Sequence, residues 1–388
     1  MDARRTYLDH NATAPMRPEV AEAVARALAL PGNPSSVHAE GRAARAAVER
    51  AREQVAALVG AQPKSVIFTS GGTEAANTVL SPSLGRVGEE GASLFLPGAV
   101  EHVCGLEGHG FRAEAVARIP VDRNGVVDLA WLGARLARHE GRALVSVQVA
   151  NNETGVVQPV TEAAALVRAA GGVVHSDAVQ AAGRLPVDIG ALGADVLTVS
   201  AHKLGGPKGV GAIVFASDRI ETAERLIRGG GQERGRRAGT ENVAGIVGFG
   251  VAAEIAGRDL DGEVTRLRAL RDTLERDLRR VAPEAMIFGE GVQRLPNTTA
   301  FAVAGLRAET ALIALDLDGV AVSSGSACSS GKVRRSHVLE AMGVAPGLAE
   351  GAIRVSLGWN STQADVAAFV SGFEKLTERL YKRNANAA

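Results

Sequence analysis

The sequence has 388 residues, of which 46% are hydrophobic and 22% are charged. That length exceeds a single compact core of ordinary size, so we expect a large domain and a smaller one. The 43 basic and 43 acidic residues cancel to a formal net charge of zero. This balance argues against nucleic acid or an anionic membrane as a main partner.

The N-terminus and the two cysteines narrow the setting further. The first residues, "MDARRTYLDHNATAP", lack the apolar core of a secretory signal, and no apolar stretch of about 18 residues could span a bilayer. We therefore expect a cytoplasmic protein. Cys104 and Cys328 lie far apart, which suggests no disulfide framework, no thiolate zinc site and no metal. We interpret Cys104 as a small buried side chain.

Short β-rich runs alternate with longer helical segments from about residue 40 to 215. Strands are predicted at 65–69, 93–97, 143–149, 172–177, 195–200 and 211–216, and helices at 40–60, 128–139 and 160–171. This alternation requires crossover connections and predicts a mostly parallel sheet covered on both faces. Because ligands bind at the carboxyl ends of the strands in such sheets, we expect the functional residues to lie there.

The alternation of predicted strands and helices ends after "GGGQERGRRAGTEN" (229–242). A long helical stretch at roughly 241–281 connects to a smaller α+β unit that contains "NTTAFAV", "GVAVSSGSAC" and "AIRVSLG". No Pro/Ser-rich linker and no repeat interrupts the chain, so we expect the two units to be packed rather than tethered.

Two motifs place charged side chains at predicted strand ends. "SAHKLGGPKGVGA" puts Lys203 just after the strand 195–200, where a lysine can be a Schiff-base nucleophile, although a lone loop lysine is more often only solvated. "HSDAVQ" places Asp177 and Gln180 at the end of another strand. A carboxylate there can hold a heteroaromatic nitrogen protonated, but Asp is also an ordinary helix N-cap.

Three further motifs follow other strands. "TSGGTEAAN" (69–77) opens a helix at about Thr73, and its free N–H groups and dipole suit a phosphate. "EHVCG" supplies His102, which can stack on a ring and move protons. "ANNETG" supplies Asn151, Asn152 and Glu153. Each motif also has a purely structural interpretation: the first as a glycine turn, the second as a loop histidine and the third as capping asparagines.

The five motifs gain meaning together because all lie at predicted strand ends of one sheet. Lysine, carboxylate, phosphate-binding turn, imidazole and amides are the groups that bind pyridoxal phosphate. The sequence lacks the GxGxxG fingerprint of a dinucleotide site and the phosphate loop of nucleotide triphosphatases. We therefore expect pyridoxal 5'-phosphate as the cofactor.

The order and joint spacing of nine motifs resemble the pyridoxal phosphate-dependent cysteine desulfurases of the NifS/IscS group. These motifs are "YLDHNATAP", "TSGGTEAAN", "EH", "ANNETG", "HSDAVQ", "SAHKLGGPKGVG", "GGGQERGRRAGTEN", "SSGSACSSG" and "IRVSLG". The resemblance implies an α/β enzyme of fold-type I, whose large domain has a mostly parallel seven-stranded sheet covered by helices. We place this large domain at 15–255, and a smaller α+β domain at 1–14 and 256–388, with the catalytic cysteine loop at about 323–336.

The resemblance also implies roles for individual residues. Lys203 would bind the cofactor covalently and shuttle the Cα proton. Cofactor contacts are implied for His102 on the ring face, Asp177 at the ring nitrogen, Asn152 and Gln180 at the ring oxygen, and Gly72, Thr73, Ser200 and His202 at the phosphate. Thr240 would reach the phosphate in the neighbouring subunit of a homodimer. Arg354 would anchor the substrate carboxylate, with Asn152 beside it.

The same resemblance gives Cys328 a function. L-cysteine would be converted to L-alanine while the Cys328 thiolate takes the sulfur as a persulfide and passes it to an acceptor protein. Lys332, Arg334, Arg335 and His337 follow in the sequence. They could favour the thiolate, or they could form a solvated face or a docking surface for an acidic partner.

The acceptor stays open, because "SSGKVRR" is unusually basic compared with the family. The resemblance also leads us to expect that a chain ending in "YKRNANAA" lacks the longer tail by which iron–sulfur members of the family engage a scaffold partner. Iron–sulfur cluster assembly, tRNA thiolation and molybdenum cofactor synthesis are all possible pathways. The alternatives in activity are a selenocysteine lyase or another fold-type I enzyme such as an aminotransferase. An inactive homologue that serves as a binding platform is disfavoured, because Lys203, Asp177, His102 and Cys328 are all present.

Overall fold

The computed structural model describes residues 5–324 and 335–385. Its helices are α1 Pro18–Leu28, α2 Ala39–Leu58, α3 Gly72–Val79, α4 Val103–Leu106, α5 Leu129–Ala137, α6 Val160–Ala169, α7 Ile189–Leu192, α8 Val243–Arg258, α9 Leu260–Val281, α10 Ala308–Leu317, α11 His337–Ala341, α12 Pro346–Ala349 and α13 Gln363–Ala385. Its strands are β1 Thr6–Tyr7, β2 Val66–Thr69, β3 Gly85–Arg86, β4 Leu94–Pro97, β5 Ala143–Ser146, β6 Val173–Asp177, β7 Val196–Ser200, β8 Gly211–Phe215, β9 Ile220–Glu221, β10 Met286–Ile287, β11 Thr298–Ala302, β12 Val320–Ala321, β13 Ser323–Ser324 and β14 Ile353–Ser356.

The central sheet of the described residues has six strands in the order β2-β8-β7-β6-β5-β4. Strands β4 to β7 pair in parallel, and β8 runs antiparallel to both of its neighbours, β7 and β2. The six predicted strands and the mostly parallel α/β sheet are confirmed. Residues 147–149 extend past β5, but Val147 and Val149 still donate to the carbonyls of His175 and Asp177.

The expectation of a seventh strand in this sheet is wrong for the described residues. Residues 116–119 lie along the outer edge of β4, where only isolated bridges join Val116 to Phe95 and Ile119 to Gly98. Pro120 follows and has no N–H to continue the ladder. The edge position is therefore occupied by a short segment that does not become a strand.

Alternate residues of the sheet enter two different hydrophobic clusters. Val66 and Phe68 of β2 face the larger cluster, which also contains buried residues of α2, α6 and α8. Ile67 faces the opposite cluster, which contains buried residues of α3. Because successive side chains point to opposite faces of a strand, the apolar runs read in the sequence bury both faces of the sheet.

The single helical stretch expected at 241–281 is two helices, α8 and α9, separated at Asp259. Helix α8 is apolar on most of its surface and packs against α1 and α2, whereas the more charged α9 packs against α13. The two helices therefore pack against different parts of the fold.

A second sheet of the described residues has the order β10-β11-β14-β13 and its own hydrophobic cluster with α9, α10 and α13. The N-terminal strand β1 pairs in parallel with β12, and Asp9 forms a bridge to Ser356. Residues 8–14 then run toward the carboxyl edge of the central sheet, where the carbonyl of His202 accepts a hydrogen bond from the N–H of Ala14. No helix of the described residues is long and apolar enough to cross a membrane.

Candidate active site

A cavity of about 310 Å³ lies at the carboxyl edge of the central sheet. Strands β6 and β7 end there at Asp177 and Ser200, and α3 begins there after β2. The lining residues are Asn11, Ala12, Gly72, Thr73, His102, Cys104, Gln148, Ala150, Asn152, Asp177, Val179, Gln180, Ser200, His202, Lys203 and Arg354. The volume is in the range of a small-molecule site.

Lys203 lies in a single 3-10 turn, Ala201–Lys203, that follows β7 directly. Its ammonium donates a hydrogen bond to the carbonyl oxygen of Ala12 at 2.8 Å and another to that of Asn11. A Cβ on Gly206 would stand 2.8 Å from the carbonyl oxygen of Ala201, so the tight turn requires glycine there. The lysine is held at the cavity wall by backbone oxygens.

Asp177 is the last residue of β6 and lines the same cavity. Burial raises the pKa of its carboxyl to about 6, while a hydrogen bond from the N–H of Val179 at 2.8 Å and the charge of Lys203 act in the opposite direction. Burial disfavours the ionised form of this carboxyl, and a nearby positive charge favours it. A cationic partner such as a protonated ring nitrogen would therefore stabilise the carboxylate.

Gly72 and Thr73 begin α3, so the free N–H groups of its first turn lie at the cavity. The backbone there has close neighbours: a Cβ on Gly211 would stand 2.5 Å from the carbonyl carbon of Gly71. Ser200 and His202 complete this end. Burial lowers the pKa of His202 to about 4, with further lowering from Lys203, so the ring is neutral near pH 7.

His102 caps α4 and contributes a neutral ring to the cavity. Its Nδ1 atom accepts a hydrogen bond from the N–H of Cys104 at 3.2 Å and lies 3.0 Å from the Cys104 sulfur. Burial lowers the pKa of His102 to about 4, with smaller contributions from Lys203 and His337. Because a backbone N–H can only donate, Nδ1 carries no proton and the neutral ring carries it on Nε2.

Cys104 differs from its expected role as a small buried residue. It is only half-buried, and it lines the cavity. Burial of the thiol is nevertheless enough to raise its pKa well above the ordinary value. The side chain of Thr73 hydrogen bonds to the same sulfur. A protonated thiol of this kind is a poor nucleophile.

Arg354 joins the two sheets at the cavity, although it belongs to β14 of the smaller sheet. Its side chain is 1% exposed and donates hydrogen bonds to Asp9 at 2.8 Å and to the carbonyl oxygen of Asn152 at 2.9 Å. Its Nε atom is buried and has no partner among the described residues. Arg354 also lines the cavity, so its fixed guanidinium is placed where it can hold a carboxylate.

Two predicted residues are not among those that line this cavity in the described part of the chain. Thr240 is exposed and does not line this cavity in the single chain. Cys328, together with Lys332 and Arg334, lies outside the described residues. Of the other basic residues near it, Arg335 pairs with Glu350 at 3.2 Å, and the ring of His337 donates to the carbonyl oxygen of Glu101 at 2.9 Å.

Several lining residues were not assigned a role from the sequence, namely Asn11, Ala12, Gln148, Ala150 and Val179. The motif "YLDHNATAP" was the only signal for the first two. Their contacts with Lys203 use backbone carbonyls, which any residue type could supply.

The residues present fit pyridoxal phosphate. One end of the cavity offers a helix N-terminus with Ser200 and His202, and the walls offer Lys203, Asp177 and His102. Among the described residues, no group of three or more His, Cys, Asp or Glu could hold a metal ion. The sheet and this donor set together define an enzyme of the pyridoxal phosphate-dependent aminotransferase type.

The comparisons with known proteins agree. The sequence profile of the class-V aminotransferases matches residues 6–369, and the chain belongs to this family. The cysteine desulfurase IscS of Dictyoglomus turgidum is 41% identical over 381 residues, which cover 97% of this chain and 95% of that protein. An IscS-like cysteine desulfurase of Mycobacterium tuberculosis is 41% identical over 369 residues, 93% of each chain.

Solved structures show the same relationship. A NifS-like protein from Rickettsia africae superposes with a TM-score of 0.87 at 34% identity, and the match covers 97% of this chain and all of that one. The family resemblance, the fold class and the pyridoxal phosphate cofactor expected from the sequence are confirmed.

Proposed function

We propose that the protein is a cysteine desulfurase that converts L-cysteine to L-alanine and transfers the sulfur, as a persulfide on Cys328, to an acceptor protein. The observation that supports this most directly is the convergence of Lys203, Asp177, His102 and Arg354 on one cavity. The similarity to curated cysteine desulfurases over almost the whole chain supports the choice of substrate.

The cofactor would be held by groups from both ends of the cavity. Lys203 would bind it covalently, Asp177 would face its ring nitrogen, and His102 would lie against the ring. Gln180 and Asn152 would approach the ring oxygen, while Gly72, Thr73, Ser200 and His202 would hold the phosphate. When bound, pyridoxal phosphate supplies an electron sink for the charge left on Cα after proton removal.

The substrate is oriented by its carboxylate. Arg354 is fixed by Asp9 and by the carbonyl oxygen of Asn152, so its guanidinium is held in one orientation at the cavity. Lys203, whose side-chain nitrogen lies at the cavity wall, would accept the Cα proton of the substrate and later return it. His102 is neutral near pH 7 and carries its proton on Nε2, so it can donate a hydrogen bond from Nε2.

Sulfur transfer assigns the nucleophile to Cys328. Its thiolate attacks the substrate sulfur, an S–S bond forms, and the Cβ–S bond breaks with its electron pair directed to Cβ, which is then protonated to give alanine. The other cysteine does not suit this step, because burial raises the pKa of the Cys104 thiol and favours the protonated form.

The remaining features belong to the same proposal. We place the large domain at 15–255, and the small domain at 1–14 and 256–388. The protein acts in the cytoplasm as a homodimer in which Thr240 reaches the neighbouring subunit's phosphate. This pairing is compatible with the exposed position of Thr240 in the single chain. The acceptor belongs to iron–sulfur cluster assembly or another sulfur-using pathway.

The test is incubation with L-cysteine, followed by measurement of alanine and of protein-bound persulfide. Lys203→Ala should abolish alanine formation, and Lys208→Ala is its matched control, since Lys208 is exposed in the same motif. Cys328→Ser should lose persulfide while still binding cysteine, and Ser329→Ala is the control beside it. Persulfide formation by Cys328→Ser at the wild-type rate would overturn the role of Cys328.

A further inference from the structure

Arg184 is a buried cation beside the active site. Its residue is 6% exposed, and burial lowers its pKa only to about 10, so it is charged near neutral pH. Its four hydrogen bonds among the described residues go to uncharged oxygens. The acceptors are the carbonyl and side-chain oxygens of Gln180 and the carbonyl oxygens of His10 and Lys203.

The contact with the Gln180 side chain determines which end of its amide faces the guanidinium. Arginine can only donate hydrogen bonds, so the side-chain oxygen of Gln180 must point toward Arg184. The Nε2 group then points the other way, and it donates to the carbonyl oxygen of Asn11 at 3.0 Å. Gln180 also lines the cavity, and its second N–H is available there.

The other nitrogen of the guanidinium connects the two chain segments that hold Lys203. Nη2 donates to the carbonyl oxygen of His10 at 3.3 Å and, more weakly, to that of Lys203 at 3.4 Å. The next residue, Asn11, accepts from both the Lys203 ammonium and the Gln180 amide. One side chain therefore sets the relative positions of Gln180, Lys203 and residues 10–11.

We propose that Arg184 is a positioning residue for the cofactor: it orients the Gln180 amide so that an N–H, rather than the carbonyl oxygen, faces the ring oxygen, and it fixes the backbone of Lys203. This inference rests on the proposed function, because it takes Gln180 and Lys203 as cofactor ligands. It assigns a role to a residue that does not touch the cavity itself.

The expected effect follows from charge as well as orientation. The titratable and charged groups that line the cavity are His102, Cys104, Asp177, His202, Lys203 and Arg354. An N–H donor stabilises negative charge on a ring oxygen, and a nearby cation disfavours a proton on a neighbouring nitrogen. Loss of Arg184 removes both effects, so the nitrogen of Lys203 should hold its proton to higher pH.

The experiment is a pH titration of the visible absorption of the holoenzyme, with Lys203→Ala defining the part of the band that depends on the lysine. Arg184→Met should raise the midpoint by about one pH unit, the size expected for one hydrogen bond. Arg184→Lys keeps the charge and a hydrogen-bond donor, so its midpoint should lie close to that of wild type. Cofactor release into a carbonyl scavenger should be faster in Arg184→Met and close to wild type in Arg184→Lys.

The matched control is Arg142→Met. Arg142 also donates to backbone carbonyls, those of Glu90 and Gly171, but at the amino end of the sheet, and its midpoint should equal that of wild type. Arg184→Gln is a second variant for the case in which Arg184→Met does not fold, and it should shift the midpoint in the same direction.

The outcomes separate the two ideas. Unchanged midpoints in the Arg184 variants, with a normal band in wild type, would overturn the role of Arg184 and leave the proposed function intact. An equal shift in Arg184→Lys and Arg184→Met would also overturn it, because rescue fails. A wild-type protein with no band that depends on Lys203 would overturn both.

Discussion

Replacing Glu153 with glutamine should make the stability of the protein less sensitive to alkaline pH. Glu153 is 5% exposed and accepts a hydrogen bond from the hydroxyl of Ser336, which caps α11. Burial raises the pKa of this carboxyl from 4.5 to about 7, against smaller opposing effects of Ser336 and Arg354. The folded protein therefore binds the proton more tightly than the unfolded chain does.

The sign and size follow from that difference in pKa. Below pH 4.5 both states are protonated and the group contributes nothing. As the pH rises toward 7, the unfolded chain gains stability by ionising while the folded protein resists. Above pH 7 the loss of unfolding free energy is complete at about 3 kcal/mol, of which roughly 2.5 kcal/mol accrues between pH 5 and pH 8.

Urea unfolding at pH 5 and pH 8, at one protein concentration, measures this effect. Glutamine resembles the protonated carboxyl but does not titrate, so the variant should gain roughly 2.5 kcal/mol on wild type between the two pH values. Other buried acids, such as Asp177 and Glu101, affect both proteins equally and cancel in the comparison. Glu340→Gln, an exposed position on α11, is the control. A wild-type-to-variant difference that is the same at both pH values would refute the reasoning.

Two further predictions concern a buried ion pair and a close backbone contact. Arg52→Met should lower the free energy of unfolding by about 3 to 5 kcal/mol in urea titrations, because it leaves the buried carboxylate of Glu233 without the guanidinium that it now meets at 2.8 Å; a loss below 1 kcal/mol would contradict this. Gly211→Ala should weaken cofactor retention at least about tenfold in equilibrium dialysis. The new Cβ would displace the Gly71 backbone next to the start of α3, and a loss of about 1.4 kcal/mol in binding free energy is enough for a tenfold change. Gly133→Ala, where a Cβ would meet only Leu166 at 3.8 Å, should retain cofactor normally.

The strands of the central sheet could be found in the sequence because they are continuous apolar runs buried on both faces. The seventh strand was expected only from the family resemblance; in this chain residues 116–119 form isolated bridges to the edge of β4, and Pro120 follows them. The pairing of β1 with β12 was hidden, since each strand has only two residues.

The cofactor-facing side chains could be predicted because they follow strand ends, as Asp177 and Lys203 do. The residues that hold them in place could not. Asn11 acts on Lys203 through its backbone carbonyl, and Arg184 acts through contacts with Gln180 and with main-chain oxygens. Every residue type has a main-chain carbonyl, so contacts with the main chain do not require a particular residue and cannot be predicted from a motif.

The parallel pairing of β1 with β12 has a consequence for synthesis on the ribosome. Thr6 pairs with Val320, so 314 residues must be added before the partner of the N-terminal strand exists. At roughly 5 to 20 residues per second this takes about 15 to 60 s. Asn11 and Ala12, which lie just beyond that strand, bind the Lys203 ammonium. We expect the lysine to gain its final surroundings only near the end of translation, so that capture of the cofactor marks a completed chain.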